Sequence, residues 1–138
     1  MLERKPEEIL RERFGRDCVI SLATSVNDQP YVRCVNAFYR DGAFYVLTHA
    51  LSGKMKQIDE NPAAAICGEW FTARGNAENR GYIGKKENRE IADLMKVLFA
   101  GWLDNGHVDL TDENTCILKI RLTDGVLFSH GTRYDLQF

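Results

Sequence analysis

Short segments in which apolar and polar residues alternate recur along this chain and predict strands. Asn27-Asp28 and Asp41-Gly42 supply turn residues between the first three segments. A fourth segment runs to Trp70 and is expected to continue after a bend, with a bulge or close backbone approach at Gly75. We expect Asp124-Gly125 to form the last turn. The predicted strands cover residues 18–25, 31–39, 43–48, 63–70 continuing to 79, 115–123 and 126–130.

Three other segments have helical spacing. The first helix begins at Pro6, since proline at the first helical position loses no intrahelical hydrogen bond, and it ends at Gly15. A short helix follows Ser52 as its cap and ends before Pro62. The third helix is predicted between residues 85 and 103, where an apolar stripe favours ordinary core or dimer packing, with a cofactor wall as the alternative. Its members are Ile91, Leu94, Met95, Leu98, Phe99 and Trp102.

These elements predict the fold class. Six or seven short strands have to hide their edges, and closure of the sheet does so. The sequence contains no repeat, linker or low-complexity tract that would divide the chain. We therefore expect a mainly β (α+β) protein. It would be a small, six- to seven-stranded antiparallel split barrel with peripheral helices, in a single domain over residues 1–138.

Composition and charge narrow the possible partners. Eighteen basic and twenty acidic residues give a net charge of −2, and the basic residues are scattered along the sequence. We therefore expect no nucleic acid or other polyanion as a partner. Apolar runs are far shorter than the roughly 20 residues of a membrane helix, and the N-terminus lacks the apolar core of a signal peptide. The sequence predicts a cytoplasmic protein without a membrane partner.

The cysteines and histidines form none of the common metal or catalytic motifs. Cys18, Cys34, Cys67 and Cys116 show no paired spacing and lie in strand-like segments, so we expect reduced thiols in or beside the core, with a disulfide or redox role as the alternative. No zinc-finger spacing is present, and no metal site is predicted. Neither a serine-histidine-acid set nor paired carboxylates indicate hydrolysis.

Candidate anion-binding residues lie around the second predicted helix. Ser52, Gly53 and Lys54 open that helix, where backbone amides, the helix dipole and a lysine suit a phosphate. Arg33 on a strand and Thr48 at the end of the neighbouring strand are positioned to point to the same region. The alternatives are a serine cap beside an exposed lysine, and a rim arginine in an ion pair.

The order of these motifs resembles that of a known family. The chain has R-x-V at Arg33 to Val35, D-G at Asp41-Gly42, a strand ending at Thr48, S-x-K at Ser52 to Lys54, and then N-P and G-x-A motifs. This series is similar to the flavin mononucleotide (FMN) site of the pyridoxamine 5'-phosphate oxidase-like split-barrel family. The resemblance spans roughly residues 16 to 80.

The resemblance implies a homodimer with two FMN sites at its interface. Arg33, Ser52 and Lys54 would hold the phosphate and the ribityl chain, with Gly53 beside them. The isoalloxazine ring would lie along Val35, Asn36 and the backbone of Leu47, Thr48 and His49. Trp70 would cover the ring or contribute a polar backbone group from one side, and its alternative role is core packing.

Two features depart from the family pattern. Relatives with a strong phosphate clamp often have arginine between the serine and the lysine, where this chain has Gly53. The oxidase itself also uses C-terminal tryptophan and arginine residues, whereas this chain ends with Arg133 and Tyr134 in a different setting. We therefore expect a phosphate site with one positive charge fewer than in those relatives. We also expect that the protein is not pyridoxamine 5'-phosphate oxidase proper.

Two functions remain open from the sequence. The first is an FMN-dependent oxidoreductase in which the flavin accepts a hydride from a reduced nicotinamide or another small donor. The second is a non-catalytic protein that binds flavin or haem for storage, sensing or stress protection. His49 and His130 are candidates for contacting substrate or haem, or are plain surface residues. No catalytic residue is assigned, and a deazaflavin remains an alternative to FMN.

Overall fold

A computed structural model describes all residues from Met1 to Phe138. Seven strands and four α-helices account for most of the chain. None of the helices has the length and apolar character needed to cross a membrane. In chain order the elements are α1 (Arg4–Phe14), β1 (Cys18–Val26), β2 (Gln29–Arg40), β3 (Ala43–His49), α2 (Gly53–Glu60), β4 (Ala63–Gly68), β5 (Phe71–Tyr82), α3 (Arg89–Leu98), α4 (Ala100–Leu103), β6 (Thr115–Ser129) and β7 (Thr132–Gln137).

The strands form one antiparallel sheet that closes on itself. Its strand order is β3-β2-β1-β4-β5-β6-β7, and a further pairing of β3 with β6 closes the first six strands into a barrel. The seventh strand, β7, extends the sheet beside β6. The predicted small antiparallel barrel with peripheral helices is confirmed.

The main core fills the barrel, and a helix closes each end. Leu10 and Phe14 of α1 pack into one end, beside the β2–β3 turn, and Met55 and Ile58 of α2 pack into the other. The ring of Phe14 lies 5.7 Å from that of Phe44 in an edge-on arrangement, which is favourable for aromatic pairs. We call these the α1 end and the α2 end of the barrel.

A second core lies outside the barrel. Met95 and Phe99 are fully buried against Phe38 and Ile117, which face outward from β2 and β6. Met95 and Phe99 of the predicted apolar stripe therefore serve core packing, and Ile91, Leu94, Leu98 and Trp102 pack against the same core while partly buried. The single helix predicted between residues 85 and 103 is instead a 3₁₀ turn followed by α3 and α4, because the chain leaves helical geometry at Phe99.

The predicted turn at Asp124-Gly125 is wrong. Strand β6 continues to Ser129 and contains a bulge, since Arg74 pairs with Asp124 while Gly75 pairs with Leu122. Gly125 serves close packing, because a Cβ there would lie 2.6 Å from the Thr72 carbonyl oxygen. The chain turns at His130-Gly131, both with positive φ, and β7 follows.

The fourth predicted strand also differs from the structure. Strand β4 ends at Gly68, and the chain reverses through Glu69 and Trp70 into β5, so the predicted bend is a hairpin turn. Trp70 has a φ of 52°, a left-handed conformation that costs energy for a bulky residue. Arg13 braces this turn by donating a 2.9 Å hydrogen bond to the Glu69 carbonyl oxygen.

The four cysteines are free thiols, but only part of the expected packing is found. Cys116 is buried in the barrel and Cys18 is half-buried, whereas Cys34 and Cys67 are exposed. The exposed pair flanks Ser21 on the outer face of β1, because Ser21 pairs with Cys34 on one side and Cys67 on the other. The prediction that all four lie in or beside the core is wrong for these two.

We expect Gly75→Ala to destabilise the protein by about 1–3 kcal/mol, the usual cost of overpacking. A Cβ at Gly75 would lie 2.2 Å from the Arg121 carbonyl oxygen, so β5 and β6 would have to separate at the bulge. Urea unfolding measures the change. Gly101→Ala is the matched control, because a Cβ at Gly101 meets no atom within 4 Å. Equal stabilities for the two variants would contradict this role of Gly75.

Candidate functional site

Barrel closure brings three segments together at the α2 end. Thr48 of β3 pairs with Cys116 of β6, and the chain turns just beyond them into α2. Ser52 occupies the cap position of α2, and its side chain makes no capping hydrogen bond to the helix. The first amides of any helix lack intrahelical acceptors and favour an anion.

Lys54 points back towards the end of β3. Its Nζ donates a 3.0 Å hydrogen bond to Thr48 Oγ1, and Thr48 Oγ1 lies 3.4 Å from Ser52 Oγ. A Cβ at Gly53 would meet no atom within 4 Å, so the backbone there is open to an approaching group. The sequence prediction that Thr48, Ser52 and Lys54 converge is thus realised within one chain.

Arg33 is held inside the same end of the barrel by neutral groups. Its Nη1 donates to Thr24 Oγ1 at 2.9 Å and to the Leu22 carbonyl oxygen at 3.2 Å. Its Nη2 donates to Gln57 Oε1 at 2.6 Å. Thr24 also donates to that oxygen, at 2.7 Å. The guanidinium is therefore fixed in place without a carboxylate neighbour.

Sequence reasoning missed Thr24 and Gln57. Thr24 is buried and continues the inward-facing series of Ile20 and Leu22, where a hydroxyl needs a polar partner. Gln57 lies three residues after Lys54 and therefore on the same side of α2. The sequence did contain one signal, because Thr24 is a polar residue on an otherwise apolar strand face. That signal indicates a binding role only once Arg33 is known to lie beside Thr24.

The electrostatics of this cluster favour an anion. Burial, followed by repulsion from Arg33, lowers the pKa of Lys54. Burial also lowers the pKa of Arg33. All acceptors of these two cations are neutral oxygens. Two partly buried positive charges that repel one another create a site where a negatively charged group would be stabilised.

The residues expected along a flavin ring lie on both faces of the sheet. Val35 faces the barrel interior, whereas Asn36 is on the outer face and donates a 3.0 Å hydrogen bond to Asp17. Asp17 also accepts a 3.0 Å hydrogen bond from Trp102 Nε1, which ties α4 to this strand. Leu47 faces outward and packs against the second core. Of these residues, Thr48 contributes its side chain to the Lys54 cluster, through the hydrogen bond from Lys54.

His49 lines a small cleft next to that cluster. The cleft has a volume of about 250 Å³ and lies between the end of β3 and the loop that precedes β6. Its walls include Leu47, Thr48, His107 and Asp112. His49 Nε2 lies 3.4 Å from Asp112 Oδ2, and His49 Nδ1 accepts a 3.3 Å hydrogen bond from the Leu51 amide. The histidine is thereby oriented at the rim of the candidate site.

Trp70 and His130 are not near the other candidate residues within one chain. Both lie in hairpin turns at the α1 end, whereas Lys54 is at the α2 end. Trp70 is 69% exposed and contacts Phe128, with ring centroids 6.4 Å apart. It is therefore not part of the main core, which was the alternative reading of this residue.

Comparisons with known proteins give matches in structure alone. No protein-family model matches the chain, and no curated protein matches it. An FAD-binding protein from Mesorhizobium loti is 15% identical, with a TM-score of 0.68 over 91% of this chain and 94% of its own. A Listeria innocua protein provisionally named as a pyridoxamine 5'-phosphate oxidase is 14% identical, with a TM-score of 0.64 over 90% and 95% of the two chains.

A third similar structure is a haem-binding protein from Mycobacterium smegmatis, at 15% identity and a TM-score of 0.72. The match covers 99% of this chain but 60% of that protein. At such identities the likeness concerns the fold and leaves the ligand open. The chain has the fold of the pyridoxamine 5'-phosphate oxidase-like split barrels.

Proposed function

We propose that this protein binds FMN, with the phosphate at Arg33 and Lys54. The observation that carries this proposal is that these two half-buried cations share one end of the barrel and have no carboxylate partner. A phosphate dianion supplies the missing negative charge and accepts charge-assisted hydrogen bonds. The FAD-binding protein with the same fold supports a flavin as the ligand.

The surrounding residues suit the rest of such a ligand. The hydroxyls of Ser52 and Thr48 and the open backbone at Gly53 provide donors beside the phosphate. Thr24 and Gln57 hold the Arg33 guanidinium in position. Gly53 adds no positive charge, so the clamp relies on two cations. The phosphate of a deazaflavin would make the same contacts. FMN and a deazaflavin differ in the ring, so the phosphate-binding residues do not distinguish them.

We propose that a second copy of the chain completes the site. The outer faces of β1, β2 and β4 carry small and apolar side chains, with Val19 62% exposed and Val32 71% exposed, next to Cys34 and Cys67. An isologous dimer would cover this face. Because Trp70 lies at the opposite end of the barrel from Lys54, it can cover a flavin ring only from the second copy.

The proposed activity is that of an FMN-dependent oxidoreductase. The bound flavin would accept a hydride from a reduced nicotinamide or another small donor and pass the electrons to an acceptor. This chain would bind and orient the cofactor. His49, held by Asp112 beside the Thr48 backbone, is placed to contact a substrate at the rim.

The second candidate is a binder of flavin or haem without catalysis. The haem-binding neighbour supports this version. To ligate iron, His49 would have to free one ring nitrogen, either Nε2 from Asp112 or Nδ1 from the Leu51 amide. The haem propionates would pair with Arg33 and Lys54 as a phosphate would, so the ranking rests on the iron ligand. We rank this candidate second, because both ring nitrogens of His49 already have partners.

We expect the double variant R33A/K54A to bind FMN at least about 100-fold more weakly than the unmodified protein, because two charge-assisted hydrogen bonds are lost. Thr24 and Gln57 remain hydrogen-bonded to one another, so the fold should persist. Titration of FMN followed by fluorescence quenching measures the affinity, and circular dichroism checks the fold.

The matched control is K5A/R133A, which removes two exposed positive charges outside α2. It should bind FMN as the unmodified protein does. Full stoichiometric flavin in a folded R33A/K54A variant would rule out Arg33 and Lys54 as the phosphate site.

The lowered pKa of Lys54 gives a second prediction. Between that pKa and the ordinary value of 10.5, the unfolded chain binds more protons than the folded one, so this lysine makes folding more favourable as pH rises through that window. The stability of the ligand-free protein relative to Lys54→Met should therefore increase from pH 8 towards pH 10. Urea unfolding at several pH values measures it, with Lys56→Met as the control for a lost lysine. A difference that is constant with pH would contradict the burial of Lys54.

A further inference from the structure

A second concentration of positive charge lies outside the barrel, at the junction of β5 and α3. A cleft of about 370 Å³ opens there, between the turn 83–86 and one side of α3. This volume is within the range of small-molecule sites, which is about 300–1,000 Å³. The cleft is lined by Ile83, Gly84, Lys85, Lys86, Arg89, Ala92, Asp93 and Lys96.

The charges around this cleft are unbalanced. Lys86, Arg89 and Lys96 are exposed, and Arg89 and Lys96 lie seven residues apart, on one face of α3. Lys85 lies on the facing turn, where its Nζ folds against Gly81. None of the four cations forms a salt bridge, and one carboxylate, Asp93, is present in the lining. Glu87 and Glu90 flank Arg89 in sequence but do not line the cleft, and Glu90 is paired with Arg40. A chain with a net charge of −2 thus gathers four positive charges around one concavity.

The frame that holds these cations is rigid. Asn88 is buried, and its Nδ2 donates to the carbonyl oxygens of Arg80 at 2.9 Å and Tyr82 at 2.8 Å. The floor of the cleft is formed by Ile83 and Ala92, both 3% exposed. The backbone of the turn and the start of α3 are therefore tied to the sheet, so the four cations project from fixed backbone positions around the cleft.

We propose that this cleft is a binding site for a small multivalent anion, of the phosphate or pyrophosphate class. An anion with two or more negative charges would neutralise cations from both walls at once and relieve their repulsion. The apolar floor leaves room for a compact uncharged part of the ligand. The free anion and the phosphate end of a nucleotide share this chemistry.

This site is distinct from the Lys54 cluster. Strand β6 separates the two, since Cys116 pairs with Thr48 on one side and with Tyr82 on the other. Lys54 lies at the mouth of the barrel, whereas the cleft is formed on the outside by α3. Amide resonances therefore distinguish binding at the two places, residues 52–56 for one and residues 83–96 for the other.

The test is a titration of the full chain with sodium pyrophosphate, followed by ¹⁵N–¹H correlation spectra. We expect saturable shifts over residues 83–96 that sodium chloride of equal ionic strength does not reproduce. In K86Q/R89Q the affinity should fall at least about tenfold, because charge-assisted hydrogen bonds are lost. The control K5Q/R133Q removes the same charge from other surfaces and should bind as the unmodified chain does.

Repeating the titration with adenosine diphosphate shows whether a nucleotide is preferred over the free anion.

Three results would overturn the proposal. The first is a set of shifts that do not saturate or that sodium chloride reproduces. The second is an equal affinity in K86Q/R89Q and in the unmodified chain. The third is binding of a duplex oligonucleotide to residues 83–96, with a steep salt dependence, when pyrophosphate does not bind. That result would identify a nucleic-acid surface instead.

Discussion

The pairing of β3 with β6 closes the barrel, and the candidate site depends on that closure. β3 and β6 are far apart in sequence, and their register places Thr48 beside Cys116. This register brings the start of α2 over the mouth of the barrel, and it brings β6 between β3 and β5. Together with the hydrogen bonds from Thr24 and Arg33 to Gln57, it sets the position of Lys54 relative to Arg33. The site is therefore a consequence of sheet closure more than of any single motif.

Closure also explains why the two cations are left without carboxylates. Arg33 and Lys54 are directed into a space that the sheet and α2 have already enclosed, and its other polar members are Thr24, Thr48 and Gln57. These neutral groups orient the cations but do not neutralise them. A protein that keeps such a cluster loses stability in the ligand-free state. An anionic ligand would recover it, which couples folding to binding.

Much of the fold was predictable because its signals are local. Asn27-Asp28 and Asp41-Gly42 take positive φ in tight hairpins, as turn chemistry predicts. Gly75 was correctly associated with a bulge. The Asp124-Gly125 pair carries the same local signal, yet its glycine allows close contact with β5 inside a long strand. Sequence alone does not distinguish a glycine that turns the chain from one that lets strands approach.

The candidate site was predictable only in part, for the same reason. Ser52 and Lys54 are marked by their place at a helix start, and Arg33 by its place in a series of motifs. The partners Thr24 and Gln57 come from elements that no local signal connects. Likewise, the basic residues at the β5–α3 junction are scattered in sequence, and they form one cleft because the turn after β5 folds back onto α3.

The proposed flavin ligand and the haem of a neighbour with the same fold would engage different residues of this chain. The haem version would place iron at a histidine, and the flavin version would place a phosphate at Arg33 and Lys54. The two chromophores differ in the visible spectrum, independently of any assay of activity.

The absorption spectrum of the protein as purified therefore tests the central claim most directly. We expect flavin bands in the blue and near-ultraviolet, and release of FMN in a one-to-one ratio with the chain on denaturation. A Soret band that disappears in His49→Ala, with no flavin released, would contradict the account.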